Sequence, residues 1–200
     1  MKTKKKYAAF GLVGLLVLAG VLGASQSETQ NGRSSATNLM LSKGFHLGPA
    51  IESFGPVVTV DSELAIPTDH QYKVVFELMR PAESPEEASG WIESVARFIN
   101  MQVEAGVPRE NLDIKVVIHG RATTEVLNNE AYRARFGVDN PNVPLFEALS
   151  EAGADLYVCA QAAQLFDVPL DQIAPPVQVA LSAMTAVVLF QSQGYQVLHY

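Results

Sequence analysis

Residues 72–120 read YKVVFELMRPAESPEEASGWIESVARFINMQVEAGVPRENLDIKVVIHG and contain a complete strand–helix–strand unit. The unit opens with a nearly continuous apolar run, from Tyr72 to Leu78, and a second apolar run follows at 114–118. Such runs are typical of strands that are covered on both faces of a sheet. A helix between two strands of this kind predicts a crossover connection, and therefore a parallel pair.

The helix of this unit is predicted from its start signal and its apolar periodicity. Ser84, Pro85 and Glu87 have the spacing of an N-cap, a first helical residue and a capping-box acid. Gly106 and Pro108 are the expected stop. Between these signals, apolar residues recur every three or four positions, which predicts one buried stripe: Ala88, Trp91, Ile92, Val95, Phe98, Ile99 and Val103.

The rest of the chain repeats the alternation of strands and helices. We predict a third strand over 155–158 that ends at Cys159, and a closing strand over 196–198. A helical piece with Val126 and Leu127 inward, a short helix over 143–152 and a helical turn over 161–166 fill the connections. The sequence therefore predicts an α/β flavodoxin-like three-layer sandwich, with a mainly parallel sheet of about five strands.

The last connection is interpreted as one long helix. Pro175 and Pro176 are taken as its start, and Gly194 as its end. Its inward or interfacial stripe would comprise Val177, Leu181, Met184, Val188 and Gln191.

The first 71 residues divide into three predicted segments. Residues 1–24 combine four early lysines with an apolar run from Ala8 to Ala24, which is the pattern of a signal peptide. An uncleaved N-terminal membrane anchor is the alternative, because the run is just long enough to span a bilayer. Residues 25–43 are predicted to be a flexible linker, and residues 44–71 an N-terminal arm with a short β-like run, Val57 to Val60. Either reading of the N-terminus places the folded part outside the cytoplasm, in the periplasm or its equivalent.

Composition limits the classes of function. Apolar residues make up 48% of the chain and the formal net charge is −7, which becomes −11 without the four early lysines. An acidic surface repels phosphate backbones, so nucleic acid is not an expected partner. The chain has one cysteine, which excludes an internal disulfide and multi-cysteine zinc or iron–sulfur sites.

The candidate site is the edge of the sheet where the strands end. Ligands of open parallel sheets bind beyond the carboxyl ends of the strands, where the following loops meet. There the sequence places Cys159 as the candidate nucleophile and His119 as its cation or proton shuttle, with Arg80, Arg121 and Gln161 as candidate binding residues. A helix N-terminus after Cys159 would stabilise its thiolate, the reactive form of a cysteine.

Purely structural interpretations of the same residues also stay open. A single cysteine is often simple core packing, a histidine at a strand end is often structural, and the arginines are often solvated loop charges. The histidines lack metal-ligand spacing, and the chain lacks glycine-rich phosphate loops and a Gly-x-Ser-x-Gly elbow. No cofactor and no metal are therefore expected.

Five segments, in this order, resemble proteins of the DsrE/DsrF-like family: YKVVFEL, VVIHG, NPN, ADLYVCAQAA and ALSAMTAVVLFQSQGYQVLHY. The resemblance covers residues 72–200 and is greatest to the exported, largely uncharacterised branch. It implies a five-stranded α/β domain that assembles into homotrimers or hexamers. Members of sulfur-oxidation and tRNA-thiolation relays carry a persulfide on a cysteine, and the matching position here is Cys159. This chain departs from them because it is predicted to be exported and has no second cysteine.

Three functions are consistent with these residues. The first is a sulfur carrier, resembling a sulfurtransferase, in which Cys159 exchanges sulfane sulfur with donor and acceptor proteins. The second is a non-catalytic oligomeric module that binds a ligand or partner, with Cys159 structural. The third is a redox sensor that forms intermolecular Cys159 disulfides in an oxidising compartment.

Overall fold

The computed structural model describes residues 33–200, and its centre is one five-stranded parallel sheet. The strand order is β4-β3-β2-β1-β5, and every pair of neighbours is parallel. The strands are β1 (Tyr72–Leu78), β2 (Leu112–Ile118), β3 (Asp155–Cys159), β4 (Gln178–Ala180) and β5 (Gln196–His199). The predicted flavodoxin-like α/β class is confirmed.

Six α-helices are present among residues 33–200. They are α1 (Ser35–Ser42), α2 (Gly90–Glu104), α3 (Asn129–Phe136), α4 (Val143–Glu151), α5 (Ala160–Leu165) and α6 (Ala183–Ser192). Short 3-10 segments occupy Arg109–Asn111, Gly120–Val126 and Leu170–Gln172. The Gly120–Val126 turn and α3 stand where one helical piece was predicted, and Val126 and Leu127 are buried as expected.

The two faces of the sheet are covered unequally. One face forms the larger core with α2 and α4, and every second strand residue points into it, such as Phe76, Val116 and Leu156. The other face carries a smaller cluster that includes Val75, Val117 and Cys159 and is covered by α6. Along each strand, successive side chains therefore alternate between the larger core and the smaller cluster under α6.

The predicted capping box at Ser84 is wrong in its position. The helix α2 begins at Gly90, and Ser89 is its N-cap, with its Oγ accepting the Ile92 N–H at 3.4 Å. The Ser89 N–H is itself held by Asn142 Oδ1 at 2.7 Å. Glu87 accepts the Ser35 N–H at 2.8 Å instead of closing a capping box. Tertiary partners thus delay the helix by one and a half turns.

The predicted long helix from Pro175 is also corrected. Residues 178–180 form the edge strand β4 beside β3, and α6 starts only at Ala183, with Ser182 as its N-cap. Val177 and Leu181 lie outside any helix. Over the few residues from Val177 to Leu181, the apolar pattern is compatible with a helix or with a strand. The hydrogen bonds to β3 favour the strand.

The predicted flexible linker contains a helix in its described part. α1 is capped by Ser34, whose Oγ accepts the Thr37 N–H at 3.1 Å. Ser34 and Thr37 both donate hydroxyl hydrogen bonds to Glu93, a fully buried carboxylate of α2, at 3.0 and 2.5 Å. The composition of the segment is polar because these hydroxyls bind a buried acid. Residues 1–32, with the predicted signal peptide or anchor, lie outside the described residues.

Asn100 makes more hydrogen bonds between α2 and the N-terminal arm than any other residue, and Glu93, Arg97 and Glu104 of the same helix add others. Asn100 is buried, and its amide bonds to main-chain groups between Ala50 and Gly55. The run predicted to be β-like at Val57 makes one antiparallel bridge with His46 and no strand. Over residues 33–200, no helix is long and apolar enough to cross a membrane.

Candidate functional site

Cys159 lies at the carboxyl end of β3, as the sequence predicts. It is the last residue of the strand and the N-cap of α5, so the thiol meets the amino end of a short helix. The Ala162 N–H donates to Sγ at 3.4 Å. The residue is 6% exposed, among Val117, Ala183 and the other members of the smaller cluster.

His119 directly follows β2 and contacts a carboxylate rather than the thiol. Its Nε2 lies 3.0 Å from Glu77 Oε1. The ring N–H does not point at this oxygen, so the contact is electrostatic and Nε2 is buried without a hydrogen-bond partner among the described residues. On its other side, Glu77 Oε2 contacts His199 Nδ1 at 2.5 Å. One carboxylate therefore holds two imidazoles.

The strand register places these groups on one face in two rows, because Glu77 is opposite Val117, two residues before His119. Ile118 is opposite Val158, so His119 follows in line with Cys159, and Glu77 is opposite His199. Because side chains alternate along a strand, these four residues share the face of Val75 and Val117, the one that α6 covers. The order across the sheet is Cys159, His119, Glu77 and His199, and neighbouring strands are about 4.8 Å apart.

Glu77 and His199 were not predicted from the sequence. Glu77 interrupts an apolar strand next to its carboxyl end, and a buried strand has a reason for such a charge only if a partner is present. That signal was available. The identity of its partners could not be predicted, because His199 reaches Glu77 only since β5 pairs with β1, and the sequence does not show the strand order.

The predicted binding residues are distributed around the edge and none bonds to Cys159. The Arg80 guanidinium lies 4.9 Å from the centre of the Trp91 ring. Gln161 Nε2 donates to the Leu181 carbonyl at 3.4 Å, next to the point where Ala180 pairs with Cys159. Arg121 lines a cavity beyond β1 and β2. Within residues 33–200, no group of three or more His, Cys, Asp or Glu side chains could hold a metal ion.

At the opposite end of the strands the same face is polar. Lys115 contacts Asp155 and Asp113 at 2.6 and 2.9 Å, and the Tyr195 hydroxyl donates to Asp113 at 2.6 Å. Burial alone would lower the pKa of Lys115, but the two carboxylates outweigh it and raise that pKa. This network is structural, because it stands at the amino ends of β2 and β3, away from the thiol.

The outer side of α6 and the residues before it form an exposed apolar surface, here called the α6 surface. It consists of Val179, Leu181, Met184, Val188 and Leu189, of which Met184 is 78% exposed. Large apolar side chains are seldom exposed so completely and so close together in a monomer. The inner side of α6 therefore packs over Cys159, and its outer side is an exposed apolar surface of the kind found at protein interfaces.

Comparison with known proteins identifies the family of the domain. The sequence profile described as the DsrE/DsrF-like family matches residues 73–200. One similar solved structure is a protein of unknown function, MTH1491 from Methanobacterium thermoautotrophicum, at 20% identity and a TM-score of 0.46, over 64% of this chain and 99% of the other. Another is the ychN protein from E. coli, at 13% identity and a TM-score of 0.48, with the same coverage of both chains. Among curated proteins nothing matches. With its five-stranded sheet and a profile match over more than half its length, the chain belongs to the DsrE/DsrF-like family.

Proposed function

We propose that this protein is an exported sulfur carrier that holds sulfane sulfur as a persulfide on Cys159. The observation that supports the proposal most directly is the position of this thiol. It ends an interior parallel strand and accepts the Ala162 N–H at 3.4 Å, and by the resemblance of the YVCAQ segment it stands where a carrier cysteine of the family is expected. A thiolate at a helix N-terminus is the usual reactive form of cysteine.

The transfer is a pair of balanced displacements. The Cys159 thiolate attacks the outer sulfur of a donor persulfide, an S–S bond forms at Cys159, and the donor leaves as its thiolate. An acceptor nucleophile then takes the outer sulfur and restores the Cys159 thiolate. His119 follows the neighbouring strand on the same face as Cys159, and its role in this proposal is to stabilise the sulfur anions.

Access to the thiol is controlled by the turn between β4 and α6. Cys159 is 6% exposed and is paired with Ala180, just before this turn. The turn is fastened to α5 by the hydrogen bond from Gln161 to the Leu181 carbonyl, whose length of 3.4 Å is near the limit for such a bond. A donor therefore reaches sulfur when this contact opens, and Gln161→Ala should increase the rate at which iodoacetamide alkylates the folded protein.

The test is the intact mass of the purified protein after treatment with inorganic polysulfide. The native protein should gain the mass of one sulfur atom, which dithiothreitol removes, and Cys159→Ser should gain none. A thiol that refuses both polysulfide and iodoacetamide until urea unfolds the chain would disprove the carrier.

Export is part of this proposal. It is supported by the early lysines and the apolar run within residues 1–24. Expression of the full chain in a Gram-negative host, followed by fractionation and N-terminal sequencing, tests it. A full-length product in the cytoplasm would contradict export, and a full-length product in the membrane would favour the anchor.

A second candidate is the non-catalytic oligomeric module, which is supported by the α6 surface. We propose that a further copy of this chain covers it, as the resemblance to oligomeric family members implies. Met184→Asp, on the 78% exposed residue, should then reduce the mass found by sedimentation velocity to that of a monomer. A native protein that is already monomeric would rule this occupant out. A redox sensor would instead give a Cys159 disulfide dimer on non-reducing electrophoresis.

A further inference from the structure

A second site is formed by a cavity on the same edge of the sheet, away from the thiol. It has a volume of about 350 Å³ and lies beyond the carboxyl ends of β1 and β2. Its walls include Arg121, Arg135, Tyr132, Phe136, Phe166 and Pro81, but not Cys159. The volume is at the lower end of small-molecule sites, and its position is the one where open parallel sheets bind ligands.

Two arginines supply positive charge to the cavity, and neither forms an ion pair with a carboxylate among residues 33–200. The Arg121 side chain is exposed at the cavity, and its guanidinium makes no hydrogen bond or ion pair with residues 33–200. Arg135 donates from Nη1 to the Phe166 carbonyl at 2.9 Å. Its Nη2 has no hydrogen-bond partner among residues 33–200. In a chain of net charge −7, two arginines on one cavity are a local concentration of positive charge.

The acidic residue of the cavity is already fully engaged elsewhere. Glu125 is buried, and its Oε1 accepts the Ala82 N–H at 3.0 Å while Oε2 accepts from Asn142 Nδ2 at 2.7 Å. Its carboxylate therefore shapes the wall by fixing two loops. It reduces the net charge of the cavity without pairing with either guanidinium, so one negative charge is what the cavity can still accept.

The remaining walls are apolar and aromatic. The Tyr132 hydroxyl donates to the Pro85 carbonyl at 3.1 Å, so this ring presents its apolar part. The Tyr132 and Phe136 rings are 4.5 Å apart, and the Arg135 guanidinium lies 5.6 Å from the centre of the Phe136 ring. Such a surface suits a planar, ring-sized body with its charge at one end.

We propose that this cavity binds a small aromatic monoanion, a carboxylate or sulfonate, with its charged group on Arg121 and Arg135 and its ring against Phe136 and Phe166. The site is independent of Cys159, and binding there requires no sulfur chemistry. It gives the domain a ligand-binding capacity beyond the carrier function.

The test uses 4-fluorobenzenesulfonate and the full-length protein, followed by fluorine and amide NMR. The expected result is saturable binding that shifts the amides of Thr124 and Phe136. Arg121→Gln should weaken it about three- to tenfold, the range for losing one charge-assisted contact at a partly exposed site. Arg80→Gln removes an equal charge at the same edge, from a residue stacked on Trp91 outside the cavity, and should change the affinity less than twofold.

The outcomes separate the site from general effects. Binding that Arg80→Gln weakens as much as Arg121→Gln would be diffuse electrostatics and would overturn the proposal. So would amide shifts confined to the α6 surface, or equal binding of the neutral 4-fluorophenyl methyl sulfone. Cys159→Ser should bind the sulfonate like the native protein, so a failure of sulfur transfer leaves this result unaffected.

Discussion

The fastening of the N-terminal arm to α2 by Asn100 gives the sharpest stability prediction. Asn100 is fully buried, and its Oδ1 accepts the Ala50 and Ile51 N–H groups at 3.1 and 2.8 Å. Its Nδ2 lies 3.1, 3.0 and 2.9 Å from the carbonyls of Ile51, Phe54 and Gly55. Asn100→Ala removes the side-chain partner of five main-chain groups, of which the Ile51 carbonyl still accepts the Gly48 N–H at 3.2 Å and the other four lose the only partner they have among residues 33–200. Each buried group left unsatisfied costs about 1–3 kcal/mol, and water entering the vacated space recovers part of this.

We therefore expect Asn100→Ala to lower the free energy of unfolding by about 3–5 kcal/mol, which is in the range of the most damaging single substitutions. Trp91 is the only tryptophan and lies in α2, so its fluorescence reports urea unfolding. Asn100→Asp retains an acceptor for Ala50 and Ile51 but turns an oxygen towards three carbonyls. Its cost should be at least as large at neutral pH and should shrink on acidification, when the carboxyl regains a donor.

The control is Asn38→Ala, on the exposed side of α1, which should change stability by less than about 0.5 kcal/mol. A loss of less than about 1 kcal/mol for Asn100→Ala would refute the reasoning, because it would mean that water replaces the amide at little cost.

Two further predictions concern backbone geometry and a buried acid. Gly55→Ala should destabilise the protein severely, because a Cβ at this positive φ would overlap the backbone of Ala96, whereas Gly44→Ala meets open space and should cost about 1 kcal/mol by urea unfolding. Equal losses of stability for the two variants would contradict the close approach of Gly55 to the backbone of α2. Burial raises the pKa of Glu125 above its ordinary 4.5, so the folded protein holds this proton more tightly than the unfolded chain. Native stability relative to Glu125→Gln, followed by urea unfolding at several pH values, should therefore be greatest below about pH 4.5 and fall as the pH rises through the folded pKa. A flat difference would show that Glu125 titrates normally.

The candidate site was only half predictable. The rule that ligands bind at the carboxyl ends of parallel strands located Cys159, His119 and Arg121 from the sequence, since each lies at the end of a strand or within three residues after it. Their neighbours could not be located in that way. The contact of His119 with Glu77, and of Glu77 with His199, depends on β1 lying between β2 and β5.

The errors share a physical cause. Ser84 and Glu87 have correct capping spacing, but Ser35, Asn142 and Tyr132 hold that loop away from a helix. The polar composition of the predicted linker hid the side chains of Ser34 and Thr37, whose partner Glu93 lies 59 and 56 positions away in sequence. Local patterns cannot show hydrogen bonds of this range.

What the sequence by itself determined is the alternation of strands and helices, because burial on both faces requires apolar runs such as 72–78 and 114–118, and one buried stripe requires helical spacing. It also determined that a single thiol stands at a strand end. Only the tertiary structure decided the strand order, the edge strand β4, the burial of Cys159 and the pairing of two imidazoles with one carboxylate. These features depend on contacts between residues far apart in the chain, whose free energy is gained only when the whole sheet is assembled.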